Sequence, residues 1–420
     1  MKVGGGYVWG EVYDEAEEHG HIAVGGDDRT VGCIGGYMQG GGHSPSSRYF
    51  GLGTDQVLEY TVVLASGQIV TANECQYSDI FTALRGGGGG TYGVVTSATI
   101  RVHPTFPMYE NTLAVLPVNT SAPESETLGP ILNATANIMS KHSILSEAGF
   151  SGYGIVGYGA EILKLASSNA YGHGFAAPLP TSNASVASAK KSLEEVVEKQ
   201  LLQDLLPLNG TEFTVVSAWK YYPTFGKYLE AAGGQSTVGR TGIMLSSRMF
   251  GEEHLVNKSS ELYDMLRTTF SEYDGGPLSS YEIGFLSNLV AGGKVLEHQP
   301  YVSVNPSWRK TYVLNEIITE TDYNLDPLEK QAFKDNFTFR KTQAMKDITP
   351  GMGAYVNEAD GNDPQWKEDF FGSSEHYDGL KAIKQKYDPN DVFWCWRCVG
   401  SESWAQESGS QQLGPLCRVY

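Results

Sequence analysis

Two glycine clusters constrain this chain more than any other feature. The first runs Val31-Gly32-Cys33-Ile34-Gly35-Gly36-Tyr37-Met38-Gln39-Gly40-Gly41-Gly42-His43. The second runs Arg85-Gly86-Gly87-Gly88-Gly89-Gly90-Thr91-Tyr92-Gly93-Val94-Val95. Glycine supplies 50 of 420 residues, about 12% against a usual ~7%. It is clustered and not periodic, which excludes a collagen helix or a low-complexity tract. Clustered glycine in a globular chain brings bare backbone close to something. In the first cluster that backbone could turn N–H groups toward an anion, or let a flat ring lie against the chain. Tight packing of turns is the competing reading. In the second cluster Gly88, Gly90 and Gly93 satisfy G-x-G-x-x-G. A dinucleotide fingerprint needs strand, glycines, then helix. Here the pattern reads helix, glycines, strand, so that assignment is rejected.

Charge excludes further classes. Lys plus Arg number 30 against 48 Asp plus Glu, a formal net charge of -18. A polyanion would be repelled, so nucleic acid is not a partner. No run of 18 apolar residues exists to span a membrane. Six Asn-x-Ser/Thr sequons, at Asn119, Asn133, Asn183, Asn209, Asn257 and Asn336, favour a secreted glycoprotein, although no signal peptide is visible at Met1.

Periodicity gives an α+β chain in three segments, 1–104, 105–345 and 346–420. In the first, Trp9, Val12, Tyr13 and Ala16 recur at helical spacing, and Val57–Ala65, Gln68–Ala72 and Tyr92–Val102 read as strands. Ser78 is positioned to N-cap a short helix, Asp79–Leu84. The middle segment alternates helices near 124–144, 187–206, 259–273 and 327–348 with strands such as 242–249 and 310–320. That mix suggests an antiparallel sheet with helices on one face. The last segment has an amphipathic helix near 377–387 and a turn at Asp388-Pro389-Asn390.

Few residues advertise chemistry. The nine His show no metal-binding spacing, and there is no G-x-S-x-G nucleophile elbow. Cys395-Trp396-Arg397-Cys398 is a lone C-x-x-C after a strand-like Val392-Phe393-Trp394, and reads as a local disulfide or simple burial. Tyr355 becomes a general base only if its surroundings lower its pKa from about 10. It is one of 24 tyrosines.

As a set, these residues resemble a known family. Gly10-Glu11-Val12-Tyr13, the first glycine cluster, Gly51-Leu52-Gly53-Thr54-Asp55-Gln56, Ala83-Leu84-Arg85-Gly86-Gly87-Gly88 and Gly93-Val94-Val95-Thr96 resemble the flavin domain of berberine-bridge-enzyme-like oxidases. These belong to the vanillyl-alcohol-oxidase (p-cresol-methylhydroxylase-type) flavoproteins. Tyr355-Val356-Asn357-Glu358 and Tyr387-Asp388-Pro389-Asn390-Asp391-Val392-Phe393-Trp394 look like that family's closing segment. Asn305-Pro306-Ser307-Trp308-Arg309 is similar to a family stretch. The ending, Val399–Trp404 and Leu416-Cys417-Arg418, is similar to fungal isoamyl-alcohol-oxidase-like members.

The resemblance implies the second half of a flavin domain, a substrate domain of antiparallel sheet plus helices, and a C-terminal segment returning to the flavin domain. It implies FAD, a small-molecule substrate such as an alcohol or a secondary-metabolism intermediate, and O2 as electron acceptor, in a monomer. Thr30, Val31, Gly35, Gly36, Gly40, Gly41, Gly42 and His43 would line the pyrophosphate and one ring face. Gly93, Val94 and Val95 would contact the adenosine side. Tyr355 would be the catalytic base with Asn357 beside it, and Val31 the small gatekeeper residue of oxidases. Asp28 stands where many members carry a flavin-linking Cys, so no sulfur link is expected. The His that links flavin in the family would lie in a subdomain upstream of residue 1, and Cys417 could pair with a Cys there. A chain without that subdomain could instead be a non-catalytic relic or a binding protein, and both readings stand at this point.

Overall fold

The computed structural model describes residues 1–157, 169–234, 242–271, 283–320, 325–406 and 416–419. Two antiparallel sheets organise the chain. A four-stranded sheet is ordered Lys2–Gly4, Val94–Ile100, Val57–Val63, Ile69–Ala72. A seven-stranded sheet is ordered Phe213–Tyr222, Met108–Pro117, Tyr171–Pro178, Gly154–Gly157, Ile283–Asn288, Val313–Glu320, Ile243–Phe250.

The strands of the large sheet show why its two faces differ. Side chains alternate with period two. Val313 and Ile317 point to one face, where they join Phe285, Leu262, Leu266 and Ile131 in the largest apolar core of the middle segment. The helices Glu124–Met139, Asn183–Val197 and Ser259–Thr269 cover that face. Leu314 and Glu316 point the other way, where Leu314 packs with Val304, Trp308 and Tyr355 and Glu316 lines a cavity shared with the first glycine cluster. The sheet is therefore a wall with an oily side and a working side.

One buried imidazole pair sits on the oily side. His142 and His173 are 0% and 1% exposed, with ring centroids 5.2 Å apart. Their Nδ1 atoms meet the Ser287 and Tyr171 hydroxyls, and neither Nε2 has a partner. Burial drives both imidazoles toward the neutral form, His142 to about 3.

Local details revise several expectations. Ser78 is the first residue of helix Ser78–Leu84 and not its cap. Tyr77 takes the cap position in a left-handed conformation, and Asp79 Oδ1 accepts the Ile80 N–H. The helix expected near 124–144 breaks at Ser140 into Glu124–Met139 and His142–Glu147. The one expected over 187–206 starts at Asn183 and passes through a wide turn at Glu198–Leu202. The helix near 327–348 is similarly interrupted at Phe337–Thr342. It begins with an Asp326 cap, whose side chain accepts from the Leu328 and Glu329 N–H groups, with Pro327 at the first helical position. Val392-Phe393-Trp394 is not a strand. It is held by Lys384, which donates to the Phe393 carbonyl, and by Asp388, which accepts the Val392 and Phe393 N–H groups. Cys395 and Cys398 form a disulfide.

Described residues of the closing segment contact both sheets: Tyr377 and Leu380 join the core of the four-stranded sheet, and the Met249 N–H of the large sheet donates to the Gly353 carbonyl. Arg309 forks onto Asp55 at 2.8 and 3.0 Å, joining two of the motifs singled out in sequence. Asp55 is 2% exposed, so this is a desolvated, bidentate pair. Asn305 Nδ2 donates to the Asp369 carbonyl at 2.8 Å.

Candidate active site

A cavity of about 650 Å³ opens between the first glycine cluster, the working face of the large sheet and the Tyr355–Glu358 turn. Val31, Gly36, His43, Tyr355 and Asn357 line it, so five of the expected site residues converge from opposite ends of the sequence. The wide turn Cys33–Tyr37 presents its backbone to this space. A Cβ built on Gly32, Gly35 or Gly36 would meet nothing within 4 Å. Bare backbone beside open room is the shape a flat ring system requires.

The deeper glycines serve the side chains. A Cβ on Gly40 would lie 2.5 Å from Asn357 Nδ2, and Gly41 packs against Tyr355 and Trp308. The Gly42 N–H donates to the Tyr355 hydroxyl at 3.1 Å. Asn357 Nδ2 donates to the same hydroxyl at 2.6 Å and to the Gly36 carbonyl at 2.8 Å. Asn357 thus ties the tyrosine to the cavity-lining backbone of Gly36.

The Tyr355 hydroxyl receives two hydrogen bonds, which favour a phenolate. Burial outweighs them, and the Glu358 and Glu316 carboxyls push the same way, so its pKa rises above the ordinary tyrosine value. The lowered pKa that would make Tyr355 a ready base is not found.

Several site residues escaped the sequence reading. Glu316 reaches the cavity from strand Val313–Glu320 and is 5% exposed. Its carboxyl accepts from Asn288 Nδ2 at 2.5 Å and is hydrogen-bonded to Glu358. Burial, then the Glu358 charge, raise its pKa well above the carboxylate range. The contact therefore favours the protonated form of Glu316. His43 Nε2 lies 3.2 Å from both Glu358 oxygens, and its Nδ1 lies 3.2 Å from the Tyr153 hydroxyl. The ligand atoms of His43, Glu316 and Glu358 all fall within 4.8 Å of one another, a grouping invisible in linear His spacing. A polar Asn315-Glu316 pair flanked by Val313-Leu314 and Ile317-Ile318 was the available signal.

Other expected residues lie elsewhere. Thr30 is exposed, and its N–H and hydroxyl both donate to Asp28 Oδ1. Asp28 itself lines the cavity beside Asp27, whose carboxyl burial pushes up to about 7. Gly93, Val94 and Val95 do not line the cavity. They lie at the start of strand Val94–Ile100, where Gly93 abuts Val62 and Val94 is 52% exposed. The second glycine cluster braces the first: the Gly86 and Gly88 N–H groups both donate to the Gln39 carbonyl. It follows helix Ser78–Leu84 and precedes a strand, opposite to the dinucleotide order.

Fold and site together define a flavoprotein oxidoreductase. Residues 1–73 match the family described as an FAD binding domain, and residues 354–397 match the one described as berberine and berberine like. FAD-linked oxidoreductase apf9 of Gibberella fujikuroi is 35% identical over 429 residues, covering 100% of this chain and 68% of that protein. FAD-linked oxidoreductase hmp9 of Hypomyces subiculosus is 31% identical, covering 100% of this chain and 63% of that protein. The VAO-type flavoprotein MtVAO713 from Myceliophthora thermophila C1 superposes with a TM-score of 0.83 at 31% identity, covering 100% of this chain and 69% of that one. The glucooligosaccharide oxidase of Acremonium strictum, at 18% identity and a TM-score of 0.69, shares the fold. The chain belongs to the berberine-bridge-enzyme-like, VAO-type FAD-linked oxidoreductases, and FAD is the cofactor of that family. It spans about two thirds of the length of these relatives.

Proposed function

We propose that the protein oxidises a small-molecule alcohol, or a comparable intermediate of secondary metabolism, with FAD. The observation that carries this reading is the Tyr355–Asn357 pair, bonded to each other and to the Gly42 and Gly36 backbone at the edge of one cavity. Gly36 and Val31 would face the ring, Asn357 would fix its edge, and His43 would stand beside it. FAD supplies hydride acceptance and, through O2, release of the electrons as hydrogen peroxide. The balance is one alcohol and one O2 giving one carbonyl compound and one H2O2.

The chain's own residues position the substrate and move one proton. The substrate hydroxyl approaches Tyr355, which takes its proton as the carbon gives up hydride. The Gly42 and Asn357 donors stabilise the phenolate that begins this step. A second reading has the Glu358 carboxylate take the proton while Tyr355 orients the hydroxyl. The raised Tyr355 pKa favours it.

With Asp28 in the linking position, no sulfur bond to flavin forms within this chain. Residues 1–104 and 346–420 would hold the cofactor, and 105–345 the substrate. Four sequon asparagines, Asn119, Asn133, Asn209 and Asn257, are exposed, which supports a secreted, glycosylated product. Among the described residues no helix is long and apolar enough to cross a membrane. We take the working form to be a monomer.

The test is the visible spectrum of the desalted protein, then peroxide release by Tyr355→Phe and Glu358→Gln. A retained flavin band and a loss of about 10²-fold or more in Tyr355→Phe are expected. A loss confined to Glu358→Gln selects the second reading. A colourless protein unresponsive to FAD refutes both.

A further inference from the structure

Tyr355 takes its place from the edge of the large sheet. Strand Ile243–Phe250 comes last in the sheet order, and its one described strand partner is Val313–Glu320. Its other edge faces the segment 349–355, which is not a strand. The Met249 N–H donates to the Gly353 carbonyl at 2.9 Å. Where a further strand would continue this pairing through its backbone, a side chain takes over. The Ser247 hydroxyl accepts the Tyr355 N–H at 3.0 Å and donates to the Tyr355 carbonyl at 3.4 Å. Arg248, the next residue, points to the opposite face of the strand. Its guanidinium donates to the Thr349 hydroxyl and carbonyl at 3.0 and 3.1 Å, and to Asp369 Oδ1 at 2.6 Å. The Asp369 carbonyl in turn accepts the Ala354 N–H at 2.7 Å. Two consecutive side chains thus grip one segment from two faces, near both of its ends. Ser247 and Arg248 are 2% and 4% exposed, so little water competes for these bonds.

We propose that Ser247 and Arg248 are positioning residues for the oxidation: they fix the backbone that carries Tyr355, and so place its hydroxyl against Gly42 and Asn357. The inference rests on the reading in which Tyr355 meets the substrate hydroxyl. Two torsions separate a tyrosine backbone from its ring, so a displaced backbone displaces the hydroxyl. The bonds at that hydroxyl are 3.1 and 2.6 Å long, and a shift of about 1 Å takes either beyond hydrogen-bond length. Neither Ser247 nor Arg248 lines the cavity, so both act through Tyr355 and not on the substrate.

The test takes crystal structures of the FAD-loaded wild type, Ser247→Ala, Ser247→Thr, Arg248→Lys and Ser246→Ala, and measures their peroxide release with benzyl alcohol as the probe. Ser246 is the matched control: it is 1% exposed, it pairs with Ile317 on the oily side, and its hydroxyl has no partner. In Ser247→Ala the Tyr355 hydroxyl is expected to move by about 1 Å and to lose its bond to Gly42 or to Asn357. Displacements of that size cost up to ~10²-fold in rate, so kcat should fall at least tenfold while KM stays within twofold. Ser247→Thr restores a hydroxyl and should recover most of the loss. Arg248→Lys keeps a charge beside Asp369 but gives up the fork on Thr349, and should lower kcat in the same way. Ser246→Ala should change neither quantity. A Tyr355 hydroxyl that stays in place in both Ser247→Ala and Arg248→Lys, or that moves as far in Ser246→Ala, overturns the proposal. The crystallographic comparison decides it without turnover, and turnover decides the reading beneath it. A displaced hydroxyl with wild-type kcat sinks proton transfer by Tyr355 and leaves the positioning standing. An unmoved hydroxyl alongside an inactive Tyr355→Phe does the reverse.

Discussion

Acid should loosen this protein through two residues that touch no substrate. His142 and His173 are neutral in the fold because burial removes the solvent that a charged imidazole needs. An unfolded His titrates near 6.5, whereas His142 in the fold is held at about 3. Between those values the unfolded chain binds a proton that the native chain refuses, so stability falls as pH falls. The loss starts near pH 6.5 and grows by about 1.4 kcal/mol per pH unit for each such group. From pH 7.5 to 5.0 the His142 imidazole removes about 2 kcal/mol, and His173 acts in the same direction. Buried acids such as Glu316 act in the opposite sense, since their raised pKa adds stability at low pH. The clean quantity is therefore a difference between variants. His142→Gln keeps a polar group near the Ser287 hydroxyl and cannot be protonated. Urea unfolding of wild type and variant at the two pH values measures it. The variant should lose about 2 kcal/mol less than wild type on acidification. Parallel losses would refute the claim that His142 stays neutral in the fold.

Two further substitutions test the architecture around the cavity. Gly40→Ala places a methyl group against the Asn357 amide. Asn357 must shift by roughly 1 Å, and displacements of that size cost up to ~10²-fold in rate. A fall in peroxide release with an unchanged melting temperature is the expected outcome, and wild-type turnover would count against the Asn357 tether. Arg309→Met strips the buried Asp55 carboxylate of its bidentate partner. A cost of about 3–5 kcal/mol, read by urea unfolding, follows from leaving that charge unpaired.

Local order was legible in the sequence, and long-range convergence was not. The β-branched run at Val57–Val63 and the amphipathic spacing of Trp9, Val12, Tyr13 and Ala16 announced their elements, because period and propensity act over a few residues. Ser78 misled because cap preference is a bias that Tyr77's geometry overrides. Tyr355 and Asn357 were found through resemblance. Nothing in the chemistry of their own segment separates them from other polar residues. Glu316 was missed because its role depends on register. Only the pairing of Leu286 with Glu316 and Ser287 with Asn315 decides which of Asn315 and Glu316 faces the cavity. Its partner Glu358 arrives from another segment altogether. A buried carboxyl pair is a property of the assembled sheet, and no window along the chain contains it.

The bond from Gly42 to Tyr355 spans 313 residues, and that distance also sets a timetable. At the usual pace of about 5–20 residues per second, the glycine turn leaves the ribosome roughly 15–60 s before the tyrosine that completes it. During that interval the open side of the Gly35–Gly36 backbone has no tyrosine or asparagine to close it. A chain interrupted between residues 321 and 354 would carry every strand of the large sheet and the glycines without the group proposed to move the proton. Synthesis of the Tyr355–Glu358 turn is therefore the step that brings the tyrosine and asparagine to glycines already in place.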